Sequence, residues 1–175
     1  MVYRIYVEKK KELANEAKGL LGDINSLLGI KSVTDVRVIN RYDAEDIEKE
    51  LFDYAVKNVF SEPQLDIAST ALDVSDSTAV FAVEPLPGQY DQRADSAAQC
   101  IQLISCGMRP LVRTKKVIVI YGKLSDKQLN SIEKYVINPV ESMKSDLTLP
   151  QTLDIKVGIP SEVEIIDGFN LLDDD

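Results

Sequence analysis

Glu84-Pro85-Leu86-Pro87-Gly88-Gln89-Tyr90-Asp91-Gln92-Arg93-Ala94-Asp95-Ser96-Ala97-Ala98-Gln99-Cys100 lies at the middle of the 175-residue chain and joins an apolar run to a helical pattern. Pro87 and Gly88 suit the two central positions of a type II turn, where Pro presets φ near −65° and Gly accepts positive φ. The chain is therefore expected to reverse here. Beyond the turn, Asp91 can cap a helix whose apolar residues Ala94, Ala97, Ala98, Ile101 and Ile104 recur at helical spacing. That spacing leaves Gln92, Asp95, Gln99 and Gln102 as a polar stripe on another face.

Working outward, Thr78 to Glu84 reads as the strand before this turn, and the helix after it stops at Cys106-Gly107. Pro110 to Lys123 carries the next strand, with Val117-Ile118-Val119-Ile120 apolar on both faces and so central in a sheet. Ser125-Asp126-Lys127-Gln128 is a capping box opening a helix with Leu129, Ile132, Tyr135 and Val136 inside. The first half reads the same way. Val2 to Glu8 is a strand, Lys10 to Gly29 a helix and Ser32 to Asn40 a strand. Asp43 then suits the N-cap of a helix with Glu45 and Asp46 in its first turn and Ile47, Leu51, Tyr54, Ala55 and Val59 along one side.

Each half is thus β-α-β-α. The wording Pro63-Gln64-Leu65-Asp66-Ile67 and Pro150-Gln151-Thr152-Leu153-Asp154-Ile155 suggests one more strand in each. Val36, Val38 and Ile39 match Val117, Val119 and Ile120 at an offset of 81, and Leu51, Tyr54 and Val59 match Ile132, Tyr135 and Val140 at the same offset. The expected fold is α/β (α+β), with duplicated β-α-β-α(-β) halves forming a pseudo-dimer around an approximate two-fold axis. The halves run 1–77 and 78–145. An acidic segment, 146–175, follows, with strand candidates at Leu153 to Val157 and Val163 to Ile166. It reads as a chain cut at a linker.

Composition bounds the function. The net charge is −9, and the eight acids of 146–175 against Lys156 supply most of it. An acidic chain with no basic stripe argues against nucleic acid and anionic membranes as partners. No apolar run is long enough for a membrane span and no signal peptide is legible, so a cytoplasmic location is expected. Cys100 and Cys106, six apart on one helix, cannot bridge and are expected to be buried, reduced thiols. The chain has no histidine. Ser-His-Asp and Cys-His nucleophile pairs and His-containing metal sites are thereby excluded.

Leu86-Pro87-Gly88-Gln89-Tyr90-Asp91-Gln92-Arg93-Ala94-Asp95-Ser96-Ala97-Ala98-Gln99-Cys100 closely resembles a segment near the N-terminus of the large, single-chain phosphoribosylformylglycinamidine synthases, and the likeness extends more weakly over most of the chain. The resemblance implies a duplicated α/β domain like a dimer of the small accessory subunit of the split enzyme. It implies an ATP- and Mg-dependent amidoligase of purine biosynthesis, with glutamine hydrolysed at a Cys-His-Glu site and ammonia passed to formylglycinamide ribonucleotide. Both active sites belong to later domains in that family, so no catalytic residue, no metal site and no cofactor are expected in this chain.

The implied role is to bridge the glutaminase and synthetase domains of the same chain and to support ammonia transfer. The candidate docking residues are Gln89, Tyr90, Asp91, Gln92, Arg93, Asp95 and Gln99, because polar groups on a rigid turn and helix give register without a large apolar patch. The plainer reading of Gln92, Asp95 and Gln99 is a wet helix face with Asp91 as its cap. A function of another class is a free-standing duplicated small-molecule-binding regulatory module with its ligand between the halves. A homo-oligomer of the fragment is a further possibility. A self-sufficient carboxylate enzyme is the weakest reading, since no acid pair stands out.

Overall fold

The computed structural model describes residues 1–154. The chain runs β1 (Tyr3–Lys9), α1 (Asn15–Ser26), β2 (Val33–Glu45), α2 (Lys49–Ala55), β3 (Asp66–Ser69), β4 (Ala79–Pro85), α3 (Gln92–Ser105), β5 (Leu111–Gly122), α4 (Asp126–Val136) and β6 (Ser142–Ser145). A single 3₁₀ turn, Lys11–Leu13, precedes α1, and a π-helical turn, Val56–Phe60, extends α2. The six strands form one sheet in the order β3-β1-β2-β5-β4-β6. Every neighbouring pair is antiparallel.

Strand alternation sorts the side chains by face. Tyr42, Ala44 and Val112 join Phe52 and Phe60 of the α2 region and Ala94, Ala97, Ala98 and Ile101 of α3 in one core. Val36, Ile118 and Ile120 join Ile24 of α1, Phe81 of β4 and Ile132 of α4 in a second. These residues share the helix-covered face, whereas Ile39, Ala82, Val117 and Val119 lie on the opposite one, against Leu72 and Leu147 from loops. Val117 to Ile120 is therefore buried on both sides, as its unbroken apolar run requires.

The sheet order is a palindrome centred on the β2–β5 pair. β1 and β4 have equal lengths 76 positions apart (Tyr3 to Ala79, Lys9 to Pro85), and β3 and β6 repeat the same displacement (Asp66 to Ser142). The offset of 81 is not the structural one. It would carry Val36, which faces the helices, onto Val117 on the opposite face. An odd shift reverses every side chain of a strand, so the strand matches at 81 reflect apolar periodicity and not equivalent places. The two halves form one continuous sheet. The second additional strand is β6, not the stretch at Pro150, where Leu153 and Asp154 are outside any strand. The remaining strand candidates, from Ile155 onward, lie outside the described residues.

β2 departs most from expectation, because it continues through Asp43 to Glu45 and α2 starts only at Lys49. Asp43 is no helix cap. Its carboxylate is buried and held by Arg4 (Nε–Oδ1 2.6 Å) and Arg41 (Nη2–Oδ2 2.7 Å), so a charged strand residue is tolerated by paired hydrogen bonds. Arg4 also donates to the carbonyls of Leu147 and Thr148, and Arg41 to that of Asp146. Three backbone carbonyls thereby fix the segment after β6 across the open face. On the other side Arg37 is held by Glu8 and donates to the Asp73 carbonyl, which anchors the loop carrying Leu72. Among the described residues no helix is long and apolar enough to cross a membrane.

Candidate functional site

The central turn forms as its residues require. Gly88 has φ +90° and the Gln89 N–H donates to the Leu86 carbonyl at 2.9 Å. Asp91 caps α3 through the Ala94 N–H at 2.9 Å, and its carboxylate also accepts from the backbone N–H (3.0 Å) and hydroxyl of Thr114 on β5. One side chain thus fixes the helix start to the sheet. α3 ends at Cys106, which adopts the left-handed conformation with φ 49°.

The seven sequence candidates separate into two groups in this setting. Asp91 is absorbed by the cap and β5. Arg93 donates from Nη1 to the Tyr42 hydroxyl (3.2 Å), and Gln89 donates to the Val140 carbonyl (3.3 Å). Asp95 is bound by Arg109, while Tyr90 is itself exposed. The hydrogen bond from Tyr90 and the guanidinium of Arg109 hold the Asp95 carboxyl below the usual carboxylate range, and the same bond raises the Tyr90 phenol. Gln92 and Gln99 remain exposed on the outer side of α3, beside Ser96 and Cys100.

The two thiols correct the sequence reading, for Cys100 and Cys106 are both free and exposed. Ile104, assigned to the inner face, is 46% exposed, with Leu103 and Met108 more so. The inner face of α3 is only as wide as its four buried residues, Ala94, Ala97, Ala98 and Ile101. These small side chains seat the helix close to the sheet, and the last turn runs past the sheet's cover.

A cleft of about 720 Å³ opens between the two helical cores. Its floor is the centre of the sheet, where Asn40 of β2 pairs with Lys116 of β5. Glu16, Gly19 and Asp23 of α1 form one wall, and Tyr135 of α4, Tyr90 and Arg93 close the others. Lys116 is ion-paired with Glu16, and the Tyr135 hydroxyl donates to Asp23 at 3.0 Å. The lining thus carries charge of both signs, Arg93, Lys115 and Lys116 with Glu16, Asp23, Glu84 and Glu141, and Lys115 and Lys116 are paired with Glu84 and Glu16.

The sequence reading missed this cleft apart from its rim, Gln89, Tyr90 and Arg93. A signal was present. The helix-facing series Val36, Val38, Asn40, Tyr42, Ala44 and Val112, Thr114, Lys116, Ile118, Ile120 each break apolar character at the middle. Chemically the arrangement is suited to binding: polar groups converge on a concave surface with charge of both signs. Among the described residues no group of three or more His, Cys, Asp or Glu could hold a metal ion. The chain matches none of the known protein-family models and none of the curated proteins.

Proposed function

We propose that this chain is the noncatalytic N-terminal domain of a phosphoribosylformylglycinamidine synthase. It joins the glutaminase and synthetase domains of a larger cytoplasmic enzyme that uses ATP and Mg outside these residues. The observation that carries the reading is the Leu86–Cys100 segment: a turn closed by its own hydrogen bond, a helix tied to the sheet through Asp91 and Thr114, and an outward row of Gln92, Ser96 and Gln99. Fixed backbone with uncommitted amides can give register at an interface at little entropic cost. The palindromic sheet order and the displacement of 76 also favour an origin of the two halves by duplication, with the β2–β5 pair where two copies of a small subunit would meet.

Two measurements test this. The reading frame past Asp175 is expected to encode an ATP-binding synthetase followed by a glutaminase with Cys, His and Glu; a stop codon there would overturn the proposal. In that full-length enzyme the Gln92→Ala/Gln99→Ala double variant is expected to hydrolyse glutamine without matching amidine formation. Unchanged coupling would remove the docking role from this face.

A further inference from the structure

The cleft above the Asn40–Lys116 pair is built at a cost that packing does not explain. One core ends at Val38 and Ile118 and the other begins at Tyr42 and Val112, with polar residues between them on both central strands. Apolar residues at these two positions would join the cores and bury more surface. Asn40 is half-buried on the cleft floor, and its side chain has no hydrogen-bond partner among the described residues.

The wall repeats the theme. Gly19 sits inside α1, where Gly is less favourable than Ala. A Cβ there would meet no atom within 4 Å, so no close packing demands the glycine. What its missing side chain leaves is open cleft. Gly22 has the same room but does not line the cleft.

Two neighbouring cations, Arg93 and Lys116, point to an occupant, within a lining that also holds four carboxylates. Glu16 is paired with Lys116 and lies close enough to Arg93 for its charge to be felt there. Arg93 uses only Nη1 within the protein, leaving donors free. The Lys116–Glu16 pair is 41% and 59% exposed on its two side chains, and such solvent-screened pairs contribute little. An incoming anion would compete with Glu16 for Lys116. Arg and Lys together suit a phosphate, whereas Asp23, Glu141 and Asn40 supply acceptors suited to hydroxyl groups. A volume of about 720 Å³ exceeds what a bare anion fills.

We propose that this cleft binds a sugar phosphate, with the phosphate on Arg93 and Lys116 and the hydroxyls on Asn40 and the Asp23 side. This site is separate from the outer face of α3 and does not depend on the docking role. Calorimetry on the intact chain with glucose 6-phosphate, glycerol 3-phosphate, inorganic phosphate and L-serine tests it. Glucose 6-phosphate is expected to bind at least tenfold more tightly than inorganic phosphate. Lys116→Ala is expected to weaken it at least tenfold and Gly19→Leu to abolish it, while Gly22→Leu leaves it unchanged. No heat with either phosphorylated polyol at millimolar concentration, equal binding in Gly19→Leu, or binding of L-serine alone would overturn the proposal. Circular dichroism of the Gly19→Leu and Gly22→Leu variants separates a blocked cleft from a lost fold.

Discussion

Arg41 and Asp43, two positions apart on β2, point to the same face and are both completely buried, with Nη2 of the arginine 2.7 Å and Nε 3.1 Å from one carboxylate oxygen. The carboxylate's other oxygen receives Arg4 from β1. At the structural displacement of 76 the second half has Val117 and Val119 in these places, and both are buried. Only one half thus carries an ion pair where the other carries plain core.

Removing a single member leaves the rest charged and buried. Asp43→Ala is expected to destabilise the chain by about 3–5 kcal/mol, through Arg4 and Arg41 left without their acceptor. The double change Arg41→Val/Asp43→Val, which copies the second half, is expected to cost less than Asp43→Ala. Urea denaturation of the three proteins checks both expectations.

Gly19 and Gly122 should respond in opposite ways to alanine. At Gly19 the new methyl meets nothing, so Gly19→Ala is expected to stabilise by up to about 1 kcal/mol. At Gly122 the φ is +127° and a Cβ would lie 2.2 Å from the Ser32 carbonyl oxygen, against fixed backbone at the end of β5. Gly122→Ala is expected to destabilise by several kcal/mol. A thermal melt of each decides the matter, and equal shifts would contradict the packing described.

Asp91 combines a helix cap with a bond across to β5. Asp91→Ala loses both and is expected to cost about 2–3 kcal/mol, more than the usual cap loss of about 1 kcal/mol. Thr114→Val removes the hydroxyl bond alone and is expected to cost less. A double-mutant cycle should show the two positions coupled, whereas strict additivity would place Asp91 as a cap only.

Acid should release the segment that crosses the sheet's open face. Glu45 accepts from the Leu153 N–H at 2.7 Å and from the Thr152 hydroxyl at 2.9 Å, and these bonds hold its carboxyl below the ordinary value. A hydrogen bond from Thr148 does the same for Asp146. A carboxyl lowered in the folded state contributes stability above its unfolded pKa of about 4, and that contribution fades as pH falls through the folded value. The Leu153 amide signal in NMR is expected to move below about pH 4, before the sheet unfolds, and to lose this dependence in Glu45→Gln.

Several local features were legible in the residues of a single segment. The Pro87-Gly88 turn, the Asp91 and Ser125 caps and the buried run Val117 to Ile120 all follow from spacing and backbone preference within a few residues. Composition alone removed the histidine-based chemistries. Tertiary structure decided what depends on register between strands far apart in the chain. Whether Asp43 continues a strand or caps a helix turned on Arg4 and Arg41 lying beside it, and an odd offset of 81 against an even one of 76 turned on which face Val117 occupies. Asn40, Gly19 and Lys116 are separately ordinary residues. They form a cleft only because antiparallel pairing sets Asn40 opposite Lys116 and α1 passes over them, a long-range relation that periodicity in one segment does not encode.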